Sequence, residues 1–171
     1  RKCLRLSIAP KFSGKIVAVA GVDILLYLSD HPLDRIYMPK DLSLTLVQPK
    51  LAWESPVDNY KNLNKMLSSV GKGETDLVVL PEMFSTGFSM NAKKLAEEME
   101  GPSMQWMFET AQGLKAAICG SLMIKENGKF FNRFIWMEPD GHYDHYDKRH
   151  LFRMGKEDKT YTGSKEGLVI E

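Results

Sequence analysis

A short apolar run, an amphipathic stretch and a second apolar run follow one another between residues 42 and 80. That succession confines the chain to folds built around a parallel strand pair. "LSLTLVQ" (42–48) reads as a buried strand. In "ESPVDNYKNLNKMLSSV", Val57, Tyr60, Leu63, Leu67 and Val70 recur at three- and four-residue spacing, the inward face of a helix. Ser55 stands where a helix N-cap belongs, Pro56 suits the first helical position, and Asp58 completes an S-x-x-D capping pattern. "GKGETD" ends the helix and "LVVL" (77–80) is the next strand. Two strands joined through a helix lie parallel, because a tight hairpin is ruled out by the crossover between them.

The pattern then changes. A second helix begins near Pro102, with Met104, Met107, Phe108, Ala111 and Leu114 facing inward. "AAICGSLMI" (116–124) is a strand, Asn127-Gly128 makes a hairpin turn, and "FFNRFIWME" returns. "PDG" (139–141) turns again into "HYDHYDK", a further strand. A chain that opens β-α-β and then adds hairpins is an α/β or α+β layered domain. Its 171 residues make one domain with a sizeable core. A net charge of +1 gives no global field toward nucleic acid or an anionic membrane. Cys3 and Cys119 are the only cysteines, too few for a disulfide framework and without zinc-ligand spacing, so a reducing, cytoplasmic setting is expected.

Both ends depart from this order. The chain opens on Arg1, its first methionine is Met38, and it stops at "GLVIE", which reads as a strand. These features suggest an N-terminal part of a larger domain over residues 38–171, preceded by an unassigned upstream segment over 1–37. "KIVAVAGVDILLYL" (15–28) is apolar, yet it is short for a bilayer span, carries Asp23, and lacks a small-x-small cleavage pattern after it. A preceding strand, or sequence ahead of a start at Met38, fits it better than a secretory leader. An apolar final strand without a neighbour also predicts poor solubility or self-association.

Three places could carry chemistry. Glu82 directly follows Pro81, which ends the strand because it has no N–H for the ladder. The carboxyl end of a parallel strand is where α/β sheets gather their sites; the plainer alternative is a solvated acid at a strand end. "HYDHYDKRHLF" (142–152) holds His142, His145 and His150 with Asp144, Asp147, Lys148 and Arg149. It reads as a metal site, as a solvated charged edge, or as the bearer of an inward Lys148 facing an acid such as Glu82. Alternation along a strand sends His142 and His145 to opposite faces, which weighs against the metal. Cys119 sits between apolar neighbours, the setting of a structural thiol rather than a nucleophile.

Taken together, "SLTLVQPKLAWESPVDNYKNL", "DLVVLPEMFSTGFSMN" and "GSLMIKENGKFFNRFIWMEPDGHYDHYDKRHLFRMGKEDKTYTG" resemble the nitrilase (carbon–nitrogen hydrolase) superfamily, in its ω-amidase-like branch. The resemblance runs from about residue 41 onward and leaves residues 1–37 uncovered. It implies an α-β-β-α sandwich, incomplete here at the C-terminus, and a Glu–Lys–Cys triad with a second glutamate. The glutamate of the L-P-E motif matches Glu82, and the lysine of K-x-H-L-F matches Lys148, followed by His150, Leu151 and Phe152. The second glutamate matches Glu157, after a loop one residue shorter before "YTG". The nucleophilic cysteine belongs after the strand that "GLVIE" begins and is absent from this chain.

The resemblance further implies hydrolysis of small ω-amides of 2-oxo dicarboxylic acids, with no metal or organic cofactor, no nucleic-acid or membrane partner, and assembly as a homo-oligomer, commonly a dimer. Arg149 and Arg153 flank the lysine motif, but neither is assigned to the substrate carboxylate. Two other readings remain beside this one. The chain could be a non-catalytic binding or interaction protein that retains half the fold, or a metal-binding protein using the His142–His150 cluster.

Overall fold

The computed structural model describes residues 2–8, 16–18, 24–26, 42–165 and 167–170, the first three of these segments as backbone only. A six-stranded sheet runs in the order β1 (Lys2–Ile8), β4 (Leu42–Gln48), β5 (Leu77–Val79), β6 (Ala117–Glu126), β7 (Lys129–Met137), β8 (Tyr143–Asp147). β2 (Ile16–Ala18) and β3 (Ile24–Leu26) form a separate antiparallel pair. The expected β-α-β unit is present. β4 lies parallel to β5 with Leu44 beside Leu77, and α1 (Pro56–Leu67) joins them. β5 is parallel to β6, with the crossover carrying a short α2 (Ala92–Leu95) and α3 (Pro102–Leu114). β6 returns as β7 through Asn127 and Gly128, both at positive φ (49° and 73°), as a two-residue hairpin turn demands. β8 then pairs antiparallel with β7.

α1 and α3 cover one sheet face. Leu63, Leu67, Met104, Met107 and Ala111 from the helices meet Val78, Ile118, Leu122 and Ile135 from the strands. The opposite face carries Leu44, Leu77, Ala117, Cys119 and Phe134, with Leu168 packed against them. Side chains two apart along a strand share a face, so the parity of each residue in β6 and β7 decides which side of the sheet it serves.

Three local expectations are corrected. Val57 does not face the core and is 61% exposed. Buried Asn59 turns inward instead, its carboxamide bonding the Ala52 main chain and the Ser85 carbonyl. The first turn of α1 therefore seats on a polar loop junction, and its buried face is Asn59, Leu63 and Leu67. Ser55 makes no side-chain cap, because its hydroxyl donates to the Asp58 carboxylate at 2.7 Å. Residues 167–170 form no strand; Leu168 packs on the sheet face while Val169 is 75% exposed, so this stretch lies on the sheet without joining its ladder.

Candidate active site

β5 ends where expected. The Leu80 N–H still bonds to β6, donating to the Cys119 carbonyl, but Pro81 has nothing to donate and Glu82 leaves the ladder. The chain then bends sharply through Met83, at φ 47°. Buried Ser121 of β6 fastens that bend. Its hydroxyl accepts the Met83 N–H at 2.9 Å and its carbonyl accepts the Phe84 N–H at 3.2 Å. Glu82 is thus held at the strand mouth by main-chain bonds on its C-terminal side.

Lys148 comes from the edge of the sheet. It follows β8 directly, and its N–H donates to the Asn132 carbonyl of β7 at 2.9 Å. Glu157 opens α4 (Glu157–Thr160), after a 3-10 turn over Arg153–Gly155 and Lys156 at φ 60°. Its side chain is wholly buried, and Oε2 accepts the Phe152 N–H at 2.6 Å.

Glu82, 66 residues before Lys148 in sequence, converges with Lys148 and Glu157. Lys148 Nζ lies 2.7 Å from Glu82 Oε1 and 2.9 Å from Glu157 Oε2. Asn132 completes the group, with Nδ2 donating to Glu82 Oε1 at 2.7 Å and to Glu157 Oε1 at 2.8 Å. The four side chains form a closed ring of charge-assisted hydrogen bonds. Among the described residues, Glu82 Oε2 receives no hydrogen bond, and the Glu82 side chain remains 19% exposed. It is the one carboxylate oxygen of the ring left open. Burial alone would push the Lys148 ammonium down, but hydrogen bonds and charge from Glu82 and Glu157 outweigh it and hold Lys148 above its ordinary range. The lysine is a permanent cation at neutral pH.

The wall above the ammonium is aromatic. Lys148 Nζ stands 5.2 Å from the Phe88 ring centroid, and Phe88 packs on Phe152 at 6.3 Å. Phe88 belongs to a loop pinned at several points. The Glu54 N–H donates to the Thr86 carbonyl, the Tyr161 hydroxyl donates to the Ser89 carbonyl, and the Ser89 hydroxyl donates to the Glu54 carboxylate. These contacts give the wall a defined place over the cation.

The other candidates take no part in the hydrogen bonds of this ring. Cys119 is fully buried among Leu44, Leu77, Ala117 and Phe134, and burial pushes its thiol well above the ordinary range. It pairs with Trp136, four residues along β7 from Asn132, which is about 13 Å at roughly 3.3 Å per residue. A protonated thiol at that distance cannot be the nucleophile of this site. His142, His145 and His150 are exposed, as are Arg149 and Arg153. His142 does no more than approach Asp144 at 3.8 Å, and among the described residues no three His, Cys, Asp or Glu side chains are grouped to hold a metal ion. Asn132 was not anticipated. Its signal was a carboxamide inside "FFNRFIWM", on the same strand face as Phe134 and Trp136, where an apolar residue would be expected.

Comparison with known proteins follows the same outline. Residues 43–167 match the carbon–nitrogen hydrolase family. The chain is 39% identical over 130 residues to an omega-amidase YafV of Yersinia enterocolitica, covering 76% of this chain and 50% of that protein. It is 36% identical over 133 residues to the omega-amidase YafV of Escherichia coli K12, with the same coverage. A crystal structure of a CN-hydrolase superfamily protein from Xanthomonas campestris superposes with a TM-score of 0.72 at 41% identity, over 75% of this chain and 48% of that one. The chain spans about half the length of the curated relatives it matches. Among the described residues, no helix is long and apolar enough to cross a membrane.

Proposed function

The chain belongs to the carbon–nitrogen hydrolase family, and from that membership we propose that the protein hydrolyses the terminal amide of small ω-amides of 2-oxo dicarboxylic acids, releasing ammonia. The observation that carries this reading is the buried ring of Glu82, Lys148 and Glu157, with one oxygen of Glu82 left open. Its two acids and one fixed cation suit thiol-dependent amide hydrolysis. In this reading a cysteine from sequence beyond Glu171 supplies the thiol.

An amide carbonyl is a weak electrophile, so the reaction needs a thiolate and a stabilised oxyanion. Glu82 Oε2 accepts the thiol proton as sulfur bonds to the carbonyl carbon. Lys148, cationic throughout, faces the oxygen that becomes negative. The tetrahedral intermediate then collapses, the C–N bond breaks, and Glu82 returns its proton to the departing ammonia. In the second half Glu82 takes a proton from water, which attacks the thioester and restores the thiol on release of the diacid. Glu157 keeps Lys148 in place. Resemblance to the omega-amidases supports the substrate class, as does a 26% likeness over 115 residues to a 2-oxoglutaramate amidase of Bacillus subtilis.

The test is ammonia release from 2-oxoglutaramate and 2-oxosuccinamate by the protein expressed from its complete reading frame. Glu82→Gln should lower kcat by about 100- to 10,000-fold, the usual worth of a general acid–base group. Failure of the wild-type protein to release ammonia from either amide would overturn the reading.

A further inference from the structure

Glu82 and Glu157 share one cation, Lys148, and a neutral side chain bridges the two acids from the other side. We propose that Asn132 is the positioning residue that does so, setting Glu82 as the base of the site; the inference rests on the function proposed above. Asn132 is 1% exposed, and its two amide hydrogens are divided between the two acids, at 2.7 Å to Glu82 Oε1 and 2.8 Å to Glu157 Oε1. Its main-chain carbonyl also receives the Lys148 N–H, so one residue touches all three members of the group.

A carboxamide suits this place for a chemical reason. It gives two donors and no charge, whereas a second cation would compete with Lys148 for the same two acids. Because Asn132 and Lys148 both bond to Oε1 of Glu82, Oε2 is the oxygen turned free. The orientation of the carboxamide follows from the same contacts. Reversed, Oδ1 would stand against two carboxylate oxygens at under 3 Å, with only repulsion between them. In the orientation adopted, Asn132 Oδ1 is the one buried side-chain polar atom among the described residues without a hydrogen-bond partner.

The experiment uses the full-length protein with Asn132→Asp, which keeps the shape but replaces the two amide donors with a third carboxyl group, and Asn132→Leu, which removes all polarity. Near-UV circular dichroism establishes that each is folded. Ammonia release from 2-oxoglutaramate should fall about 10- to 100-fold in kcat, with KM moved less than about threefold, a range borrowed from outer-shell partners of metal ligands. Folded variants with kcat unchanged would overturn the proposal.

A second readout needs no substrate and no variant of Asn132. In the wild-type protein both side-chain amide protons of Asn132 should exchange slowly with solvent by NMR, and in Glu82→Ala one of them should exchange faster. Exchange as fast as that of an exposed asparagine in the wild type would overturn the proposal, even if neither Asn132 variant folds. If the wild type hydrolyses no ω-amide, the reading of the function fails on its own, and the exchange measurement still decides the ring.

Discussion

Two clusters of one cation and two carboxylates stand back to back about β7 and the end of β8. On the side covered by α1 and α3, Arg133 is 2% exposed and grips Asp147 through two bonds, Nε–Oδ1 at 2.7 Å and Nη2–Oδ2 at 2.9 Å, with Glu126 at 3.1 Å. On the other face, one residue along each strand, Asn132 and Lys148 meet Glu82 and Glu157. The composition is nearly the same, but the finish is not. The guanidinium fork meets Asp147 with both oxygens committed, and the exposed acid, Glu126, stands at the edge. The ammonium meets Glu82 through a single oxygen and lies under the Phe88 ring, while the other Glu82 oxygen stays open. Full pairing makes a closed clamp, and incomplete pairing leaves one carboxylate oxygen open.

The comparison breaks most readily at Arg133. Arg133→Met should cost about 3–5 kcal/mol of stability, because it strands Asp147 without its cation. Thermal or urea unfolding measures this directly, and a loss below about 1 kcal/mol would place the clamp among ordinary surface ion pairs.

Alkaline pH sharpens the comparison at Lys148. Its folded pKa is raised, so it binds its proton more tightly in the folded chain than in the unfolded one. Its contribution is therefore complete below the unfolded value of about 10.4 and is lost as pH rises through the folded value. Tyr60, pushed up to about 12 chiefly by burial, acts in the same direction. Urea unfolding at successive pH values should show wild-type stability falling above about pH 10, with a shallower slope in Lys148→Met. Equal slopes would mean that the ammonium gains nothing from its two acids.

The smallest effect is expected at Glu126, whose side chain is 45% exposed. Glu126→Gln should change stability by less than about 1 kcal/mol, measured by the same unfolding. A larger loss would make Glu126 an equal partner in the clamp and blur the contrast with Glu82.

Much of this was legible from residue order. Period-2 and period-3.6 patterns place β4, α1, β5, α3, β6 and β7 near their observed bounds, because burial of one face leaves its repeat in the sequence. Asn127-Gly128 announced its hairpin because few residue pairs accept two positive φ angles. Val57 misled, since the pattern reports which residues are apolar and not how far a neighbouring loop reaches under a helix. Asp147 and Lys148 read as one charged run, although the pleat sends them to opposite faces and into different clusters.

The sequence by itself determined the strand mouth at Pro81-Glu82, the family motifs and the elements that carry them, since each depends on neighbours within a few residues. Only the tertiary structure decided that Asn132 binds both acids, that Lys148 is shared by Glu82 and Glu157, and how far along the sheet Cys119 lies from Asn132. Those outcomes depend on register across strands distant in sequence, where moving the pairing by one residue exchanges one face for the other.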